Sequence, residues 1–281
     1  KASGKTTVST DGDIITVLSP RMQFVFNKRS GLVTSYKVNG TEYFAEGFGI
    51  QPNFWRAPTD NDYGNGGPKR EQIWKQSSKN FNVADVTTTT DGNKTVLTVN
   101  YLLAAGNLYI MNISIYPTVW FMQHHLYFYR YEAADTEVSE ATLMATFTPG
   151  QDAQRLASSK LNVPRIGVRF HLPSDMNQVE YFGRGPGENY IDRNASSFVD
   201  LYRTTADQMY TNNYVRPQEN GHRTDTRWVE LTRKGGKGLL IRADSTIGFN
   251  ALRNSVEDFD SEEAISRPRQ WTKLPLPKEV C

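Results

Sequence analysis

The chain of 281 residues has very little cysteine: its only one is Cys281, the last residue. An intrachain disulfide is therefore impossible and a cysteine-based metal cluster is excluded. Histidines number four. No hydrophobic run is long enough to span a membrane as a helix. Charge of one sign is missing too: 32 basic residues face 30 acidic ones for a net of +2, and no basic tract stands out. Nothing in that balance points to nucleic acid or to a membrane surface. The chain shows no signal peptide or lipidation motif, but it starts at Lys1, so the missing leader says nothing about export, and the compartment, cytoplasmic or periplasmic in a bacterium, stays open. No internal repeat is visible, which argues against a propeller.

The most telling absence is local. Between Leu161 and Thr232 there are eight arginines and no lysine, together with nine carboxylates and nine aromatic residues. A solvated loop has no need to choose arginine over lysine. Arginine alone offers a planar fork that pairs two-pronged with carboxylates and stacks on rings. This half of the chain is therefore read as a polar lattice of arginine–carboxylate pairs and ring stacking. Its expected members are Arg56, Asp60, Arg184, Glu188, Asp192, Arg193, Glu219 and Arg227. Such a lattice either holds loops over a sheet or presents rings and charges to a sugar.

In chain order, residues 1–12 are small and polar and read as a linker or the remnant of a preceding domain. Ser3-Gly4-Lys5-Thr6 mimics the end of a phosphate-binding loop, but no buried strand precedes it. From Asp13 the pattern has period two. Ile15 and Val17 alternate, Met22, Phe24 and Phe26 share one strand face, and Asn39-Gly40 is a strong hairpin signal. Asn53–Gly67 reads NFWRAPTDNDYGNGG. Pro58 forbids a helix through Trp55 and Arg56, and the glycines after Asp62 predict a flexible surface loop. Asp60, Asp62 and Glu71 imitate a calcium loop, which fails at Gly64 and Asn65. Glu71–Lys79 is a short turn or helix anchored by Trp74. Strands are predicted over 81–88, 95–102, 108–116 and 119–131. The last holds His124 and His125, which point to opposite faces and cannot share a metal. Thr136–Ala145 is ambiguous between helix and strand, and 150–159 reads as an exposed loop. Pro164–Leu172 is expected as a half-buried strand with Ile166, Val168 and Phe170 on its apolar face. A hairpin turns at Lys234-Gly235-Gly236, and Asp258–Glu263 begins a short helix or loop. Pro268, Pro275 and Pro277 make the tail extended. About a dozen short strands with few helices predict an all-β fold of large antiparallel sheets.

Four stretches in this order carry a resemblance: NFWRAPTDND at 53–62, PRIG at 164–167, YFGRGPGENYIDR at 181–193, and YVRPQENG at 214–221 followed by Arg227-Trp228. Together they resemble the C-terminal small-chain domain of the large bacterial β-galactosidases of glycoside hydrolase family two, from about residue 13 to the end. The resemblance implies an all-β, galactose-mutarotase-like supersandwich over 13–281, truncated at its C-terminus. It also implies that the catalytic acid and nucleophile are two glutamates on a (β/α)₈ barrel elsewhere in the parent chain. No residue here is then catalytic, and no cofactor or metal is expected in this fragment, while magnesium and sodium in the parent stay open. The implied partners are that barrel domain, a galactoside and, in the parent, further copies of the chain. The segment Asp62, Tyr63, Gly64, Asn65 and Gly66 is implied as a mobile loop beside the bound sugar. Two departures stand out. The family's Gly-Gly-Asp-Asp-Ser-Trp motif is missing, and Trp271 does not take its place. Gly187 stands where relatives often carry a larger polar residue.

Three functions follow as expectations. The first is a β-galactosidase domain, inactive alone, that completes an active-site mouth. The second is a carbohydrate-binding module using Tyr181, Tyr190 and Trp228 as platforms. The third is an aldose 1-epimerase using His171 or His222 with Glu188 or Glu219. Glu188 and Glu219 are also the best candidates for self-contained hydrolysis, but they read better as groups that hold loops.

Overall fold

A computed structural model describes residues 5–45, 49–91, 94–103, 108–115, 119–120, 137–138, 141–148, 163–212, 214, 216–260 and 279–280. His124, His125, Trp271, the 150–159 loop and the proline-rich tail expected around Pro268, Pro275 and Pro277 lie outside them. The chain divides into two discontinuous compact units. One comprises Lys1–Gln51 with Lys79–Lys160, the other Pro52–Ser78 with Leu161–Cys281.

The first unit opens with a five-stranded antiparallel meander: β1 (Thr7–Asp11), β2 (Ile14–Leu18), β3 (Met22–Asn27), β4 (Leu32–Val38) and β5 (Thr41–Glu42). Residues 7–11, expected to be linker, pair with β2 along their whole length. Both of their faces are exposed, so periodicity could not show them; backbone pairing is what places them. The alternation read in β2 and β3 is real, since Ile15, Val17, Met22, Phe24 and Phe26 are all buried. Asn39 and Gly40 take φ of 50° and 76°, the two left-handed residues that a two-residue hairpin requires. Next in chain order come β6 (Gln51–Asn53) and three short helices, α1 (Asp60–Gly64), α2 (Gly67–Arg70) and α3 (Gln72–Lys79), which belong to the second unit apart from the end residues Gln51 and Lys79. They are followed by β7 (Asn82–Asp91), β8 (Lys94–Leu102), β9 (Leu108–Ile115), β10 (Val119–Trp120), β11 (Glu137–Val138) and β12 (Ala141–Thr148). A four-stranded antiparallel sheet forms in the order β12-β9-β8-β7, and the described residues of the ambiguous 136–145 stretch are strand, in β11 and β12. It meets the meander where the Tyr101 hydroxyl donates to the Gly31 carbonyl at 2.6 Å and Phe81 packs edge-on against the Tyr101 ring.

The second unit contains β13 (Gly167–Arg169), β14 (Leu172–Pro173), β15 (Gln178–Gly185), β16 (Phe198–Thr205), α4 (Ala206–Met209), β17 (Arg223–Thr232), β18 (Gly238–Phe249), α5 (Val256–Phe259) and β19 (Glu279–Val280). Its main sheet is antiparallel in the order β16-β15-β17-β18. Val179, Tyr181, Val229 and Leu231 form its buried face, each side chain contributing about 1.5–3 kcal/mol by leaving water. The strand expected over 164–172 is cut into two short pieces, and Ile166 is 59% exposed instead of buried. Within the YFGRGPG stretch, Gly183 is demanded by crowding. A Cβ there would lie 2.8 Å from the Cα of Thr226, at the bulge where β17 bends. The all-β antiparallel class is thus as expected from the sequence.

Candidate functional site

The Asn53–Gly67 stretch does not form the open loop its glycines suggested. Thr59 is an extended N-cap whose hydroxyl accepts from the Asp62 N–H at 3.3 Å, while the Asp62 carboxylate accepts from the Thr59 N–H at 2.7 Å. This reciprocal capping box starts α1 directly after Pro58. Gly66, at φ 73°, then restarts the chain into α2 with Pro68 in its first turn. Asp62, Tyr63 and Gly64 are therefore the end of one short helix, and Asn65 and Gly66 are the joint to the next. The Asn65 side chain accepts from the Gly67 N–H at 2.9 Å. At Gly64 no left-handed φ and no neighbour within 4 Å of a Cβ calls for glycine.

Ion pairs fix α1 in place. Arg56 forks onto Asp62 at 2.6 and 3.2 Å, and its Nε reaches Glu219 at 2.9 Å. The second Glu219 oxygen accepts from Arg165 at 2.7 Å. Asp60 accepts from Arg216 at 2.9 Å and from the Gln218 amide at 2.8 Å, and the Arg216 guanidinium lies 4.5 Å from the centre of the Tyr63 ring. Residues from three of the resembling stretches thus converge on one clamp. Burial works against charge on both Arg56 and Asp62. Their mutual contacts outweigh it, with help from Glu219 and Thr59 respectively, so Arg56 titrates above its ordinary range and Asp62 below. Beside them, Glu71 is buried with Arg70 at 3.5 Å, and desolvation lifts its carboxyl above the usual range.

A second hub forms around Glu188, whose side chain is only 5% exposed. Its carboxylate accepts from the hydroxyls of Tyr190 (2.5 Å) and Tyr214, from the Gly221 N–H (2.7 Å) and from Arg193 (3.3 Å). Arg193 also stacks 4.6 Å from the centre of the Tyr190 ring. Gly221 in turn offers its carbonyl to Arg223 at 3.1 Å. That guanidinium is buried and held by the Tyr181 hydroxyl and the Pro186 and His222 carbonyls, with no carboxylate bonded to it among the described residues. One residue thus separates a buried anion from a buried cation. Gly221 must be glycine: its φ is 71°, and a Cβ would lie 3.2 Å from the Met209 carbonyl oxygen. Asn189, fully buried, fastens this turn by donating to the Arg184 and Gly187 carbonyls and accepting from Thr224.

Of the eight residues grouped as a lattice, Arg56, Asp60, Arg184, Glu188, Arg193 and Glu219 make ion pairs among the described residues, and the other two do not. Asp192 takes no part among the described residues. It sits with Ile191 at the tip of the Tyr190–Arg193 turn, where both are exposed. Arg227 pairs with no carboxylate among the described residues; it donates to the Asp225 carbonyl at 2.5 Å and lies 5.7 Å from the Phe182 ring centre. Arg184 bonds the Asp225 carboxylate and, at 2.7 Å, the Ser197 carbonyl. Arg165, Arg216, Gln218, Asn189 and Arg223 are the members that reading in order missed. The arginine count flagged Arg165, Arg216 and Arg223 but not Gln218 or Asn189, and the partners of Arg165, Arg216 and Gln218 lie far away in sequence. As sugar platforms, Tyr181 is fully buried and Tyr190 is covered by Arg193. His222 donates from Nδ1 to the Asn250 oxygen at 2.8 Å, since the Asn250 amide is committed to the Asn220 carbonyl. Burial first, then Arg165, pushes its pKa below the ordinary value. Among the described residues no group of three or more His, Cys, Asp or Glu side chains could hold a metal ion.

The family model for the beta galactosidase small chain matches residues 19–276. This chain belongs to that family. It is 32% identical over 281 residues to a beta-galactosidase from Priestia megaterium, an alignment covering 98% of this chain and 23% of that protein. A beta-galactosidase from an Arthrobacter species is 31% identical over 75% of this chain and 21% of its own length. One from Kluyveromyces lactis is 28% identical over 84% and 21% respectively. The small chain described here thus spans under a quarter of the length of these relatives.

Proposed function

We propose that this small chain is a non-catalytic domain of a β-galactosidase that hydrolyses terminal β-D-galactosides. Its task is to hold α1 and the Gly64–Gly66 joint rigidly against the active-site mouth of a catalytic barrel domain in the parent chain. The observation that carries this reading is the saturation of the candidate carboxylates. Glu188 lies buried under four donors and Glu219 is shared between two arginines. A nucleophile or general acid needs an unengaged oxygen aimed at substrate, and a retaining glycosidase needs two such groups about 5–5.5 Å apart. Gly64 supports the second half of the proposal. This domain's own packing makes no demand for glycine there, which leaves an open approach for a neighbouring body or a sugar.

The test uses the purified 281-residue chain with a chromogenic galactoside. It should show no turnover, and hydrolysis should appear only when the remainder of the parent chain is supplied. Turnover by the chain alone defeats the proposal. Heat on titration with millimolar galactose would instead favour a carbohydrate-binding module.

A further inference from the structure

Neither clamp uses the outward face of the sheet β16-β15-β17-β18. The registers place Leu201, Phe182, Trp228 and Arg242 in one row across the four strands, and Arg203, Glu180, Glu230 and Leu240 in the next. Leu201, Phe182 and Trp228 are half-buried, and Leu240 remains 51% exposed. An antiparallel sheet with a solvated face normally alternates apolar inside with polar outside. Here the inward face is already filled by Val179, Tyr181, Val229 and Leu231, and the outward face still carries an apolar row three strands wide. A sheet with two apolar faces is built to be covered on both.

The charges next to this row are unbalanced. Glu180 and Glu230 are register partners, so two like charges stand directly opposite one another. Arg203 bonds Glu180. Glu230 has no cation bonded to it among the described residues, and burial, then the charge of Glu180, holds its carboxyl above the usual range. A complementary surface therefore brings an apolar patch and one basic side chain.

We propose that this face docks the part of the parent β-galactosidase outside these 281 residues, which sets an apolar patch over Phe182 and Trp228 and a lysine or arginine against Glu230. The inference rests on the function proposed above. The matched relatives supply the occupant: this chain accounts for only 23% of the Priestia megaterium protein, leaving most of that chain to do the covering. A sugar takes a concave, enclosed site rather than one row of side chains across a sheet. Addition of a strand is also disfavoured, because the Leu201 N–H on edge strand β16 already donates to the Asp200 carboxylate at 2.7 Å.

Hydroxyl-radical footprinting of the isolated chain and of the parent enzyme tests this. Trp228 and Leu240 should oxidise several-fold more slowly in the parent. Glu230→Lys should leave the isolated chain's melting temperature unchanged or raised, because it relieves the Glu180 repulsion. In the parent it should restore oxidation of Trp228, because it meets a like charge. Equal oxidation of Trp228 in both proteins overturns the proposal. So does protection in the isolated chain that grows with protein concentration, which assigns the face to a second copy, or protection by millimolar galactose, which assigns it to sugar. An active parent with unprotected Trp228 defeats only the docking inference, whereas galactoside hydrolysis by the isolated chain defeats the function on which it rests.

Discussion

Glu188→Gln is the sharpest probe of the lattice, because it removes one charge and almost no volume. The carboxylate offers acceptor oxygens to two tyrosine hydroxyls, one arginine and the Gly221 N–H. A glutamine keeps one acceptor oxygen and replaces the other with an NH₂ donor. If that donor faces Gly221, two N–H groups confront each other, and the Gly221 amide cannot turn away without breaking its left-handed turn. If it faces the tyrosines, their hydroxyls can rotate, but both charge-assisted bonds weaken. Hydrogen bonds to a charged group are worth about 1.5–3 kcal/mol and a buried unmet donor costs about 1–3, so a net loss of about 3 kcal/mol is expected. For a domain of this size that corresponds to a fall of about 6–12 °C in melting temperature. Thermal unfolding followed by circular dichroism at fixed neutral pH reads this directly. Tyr190→Phe, which removes one of these bonds, should cost about 1.5 kcal/mol and serves as the scale. A Glu188→Gln protein that melts with the wild type would refute the idea that this carboxylate organises the turn, and would reopen Glu188 as a reactive group.

Arg184→Lys should lower stability by about 1–2 kcal/mol despite retaining the charge, since one ammonium cannot hold both the Asp225 carboxylate and the Ser197 carbonyl as the guanidinium does; an unchanged urea midpoint contradicts this. Gly64→Ala should fold as well as the wild type or slightly better, by up to about 1 kcal/mol, because the helix gains and nothing is crowded. In the parent enzyme it should nevertheless change turnover, and equal damage to melting and kinetics counts against the proposed role. For His222, whose folded pKa lies below its unfolded value, protons bind the unfolded chain more readily. Its contribution to stability is therefore complete above about pH 6.5 and declines as pH falls through the folded pKa. Melting curves between neutral and mildly acid pH should show that slope, and His222→Asn should flatten it.

Much of the first unit was legible because a half-buried strand writes its periodicity into the chain, as Met22, Phe24 and Phe26 do. Asn39-Gly40 was legible because only certain residues tolerate the turn. Helix α1 was misread for an instructive reason. Three glycines drew attention to flexibility, while the weaker signal of Thr59 followed three residues later by a carboxylate marked a helix start. Strand β1 was invisible because a strand with no buried face carries no hydrophobic pattern. The candidate site was legible in kind but not in wiring. A lysine-free, arginine-rich window announces two-pronged pairing, yet Arg56 meets Glu219 and Arg169 meets Glu257 only because separate segments fold together. Asp192 had the right composition and the wrong place, since the tip of a tight turn has no neighbour to bond.

The cations that fasten α1 and the Glu188 turn, from Arg56 and Arg165 through Arg193, Arg216 and Arg223, are all guanidinium groups. Their chemistry differs from that of an amine in one further respect. A primary amine bathed in aldose condenses with the open-chain aldehyde to an imine, the first step of browning; a guanidinium held protonated does not. If this wall stands beside a site that releases a free aldose, its fastenings offer that sugar nothing to glycate.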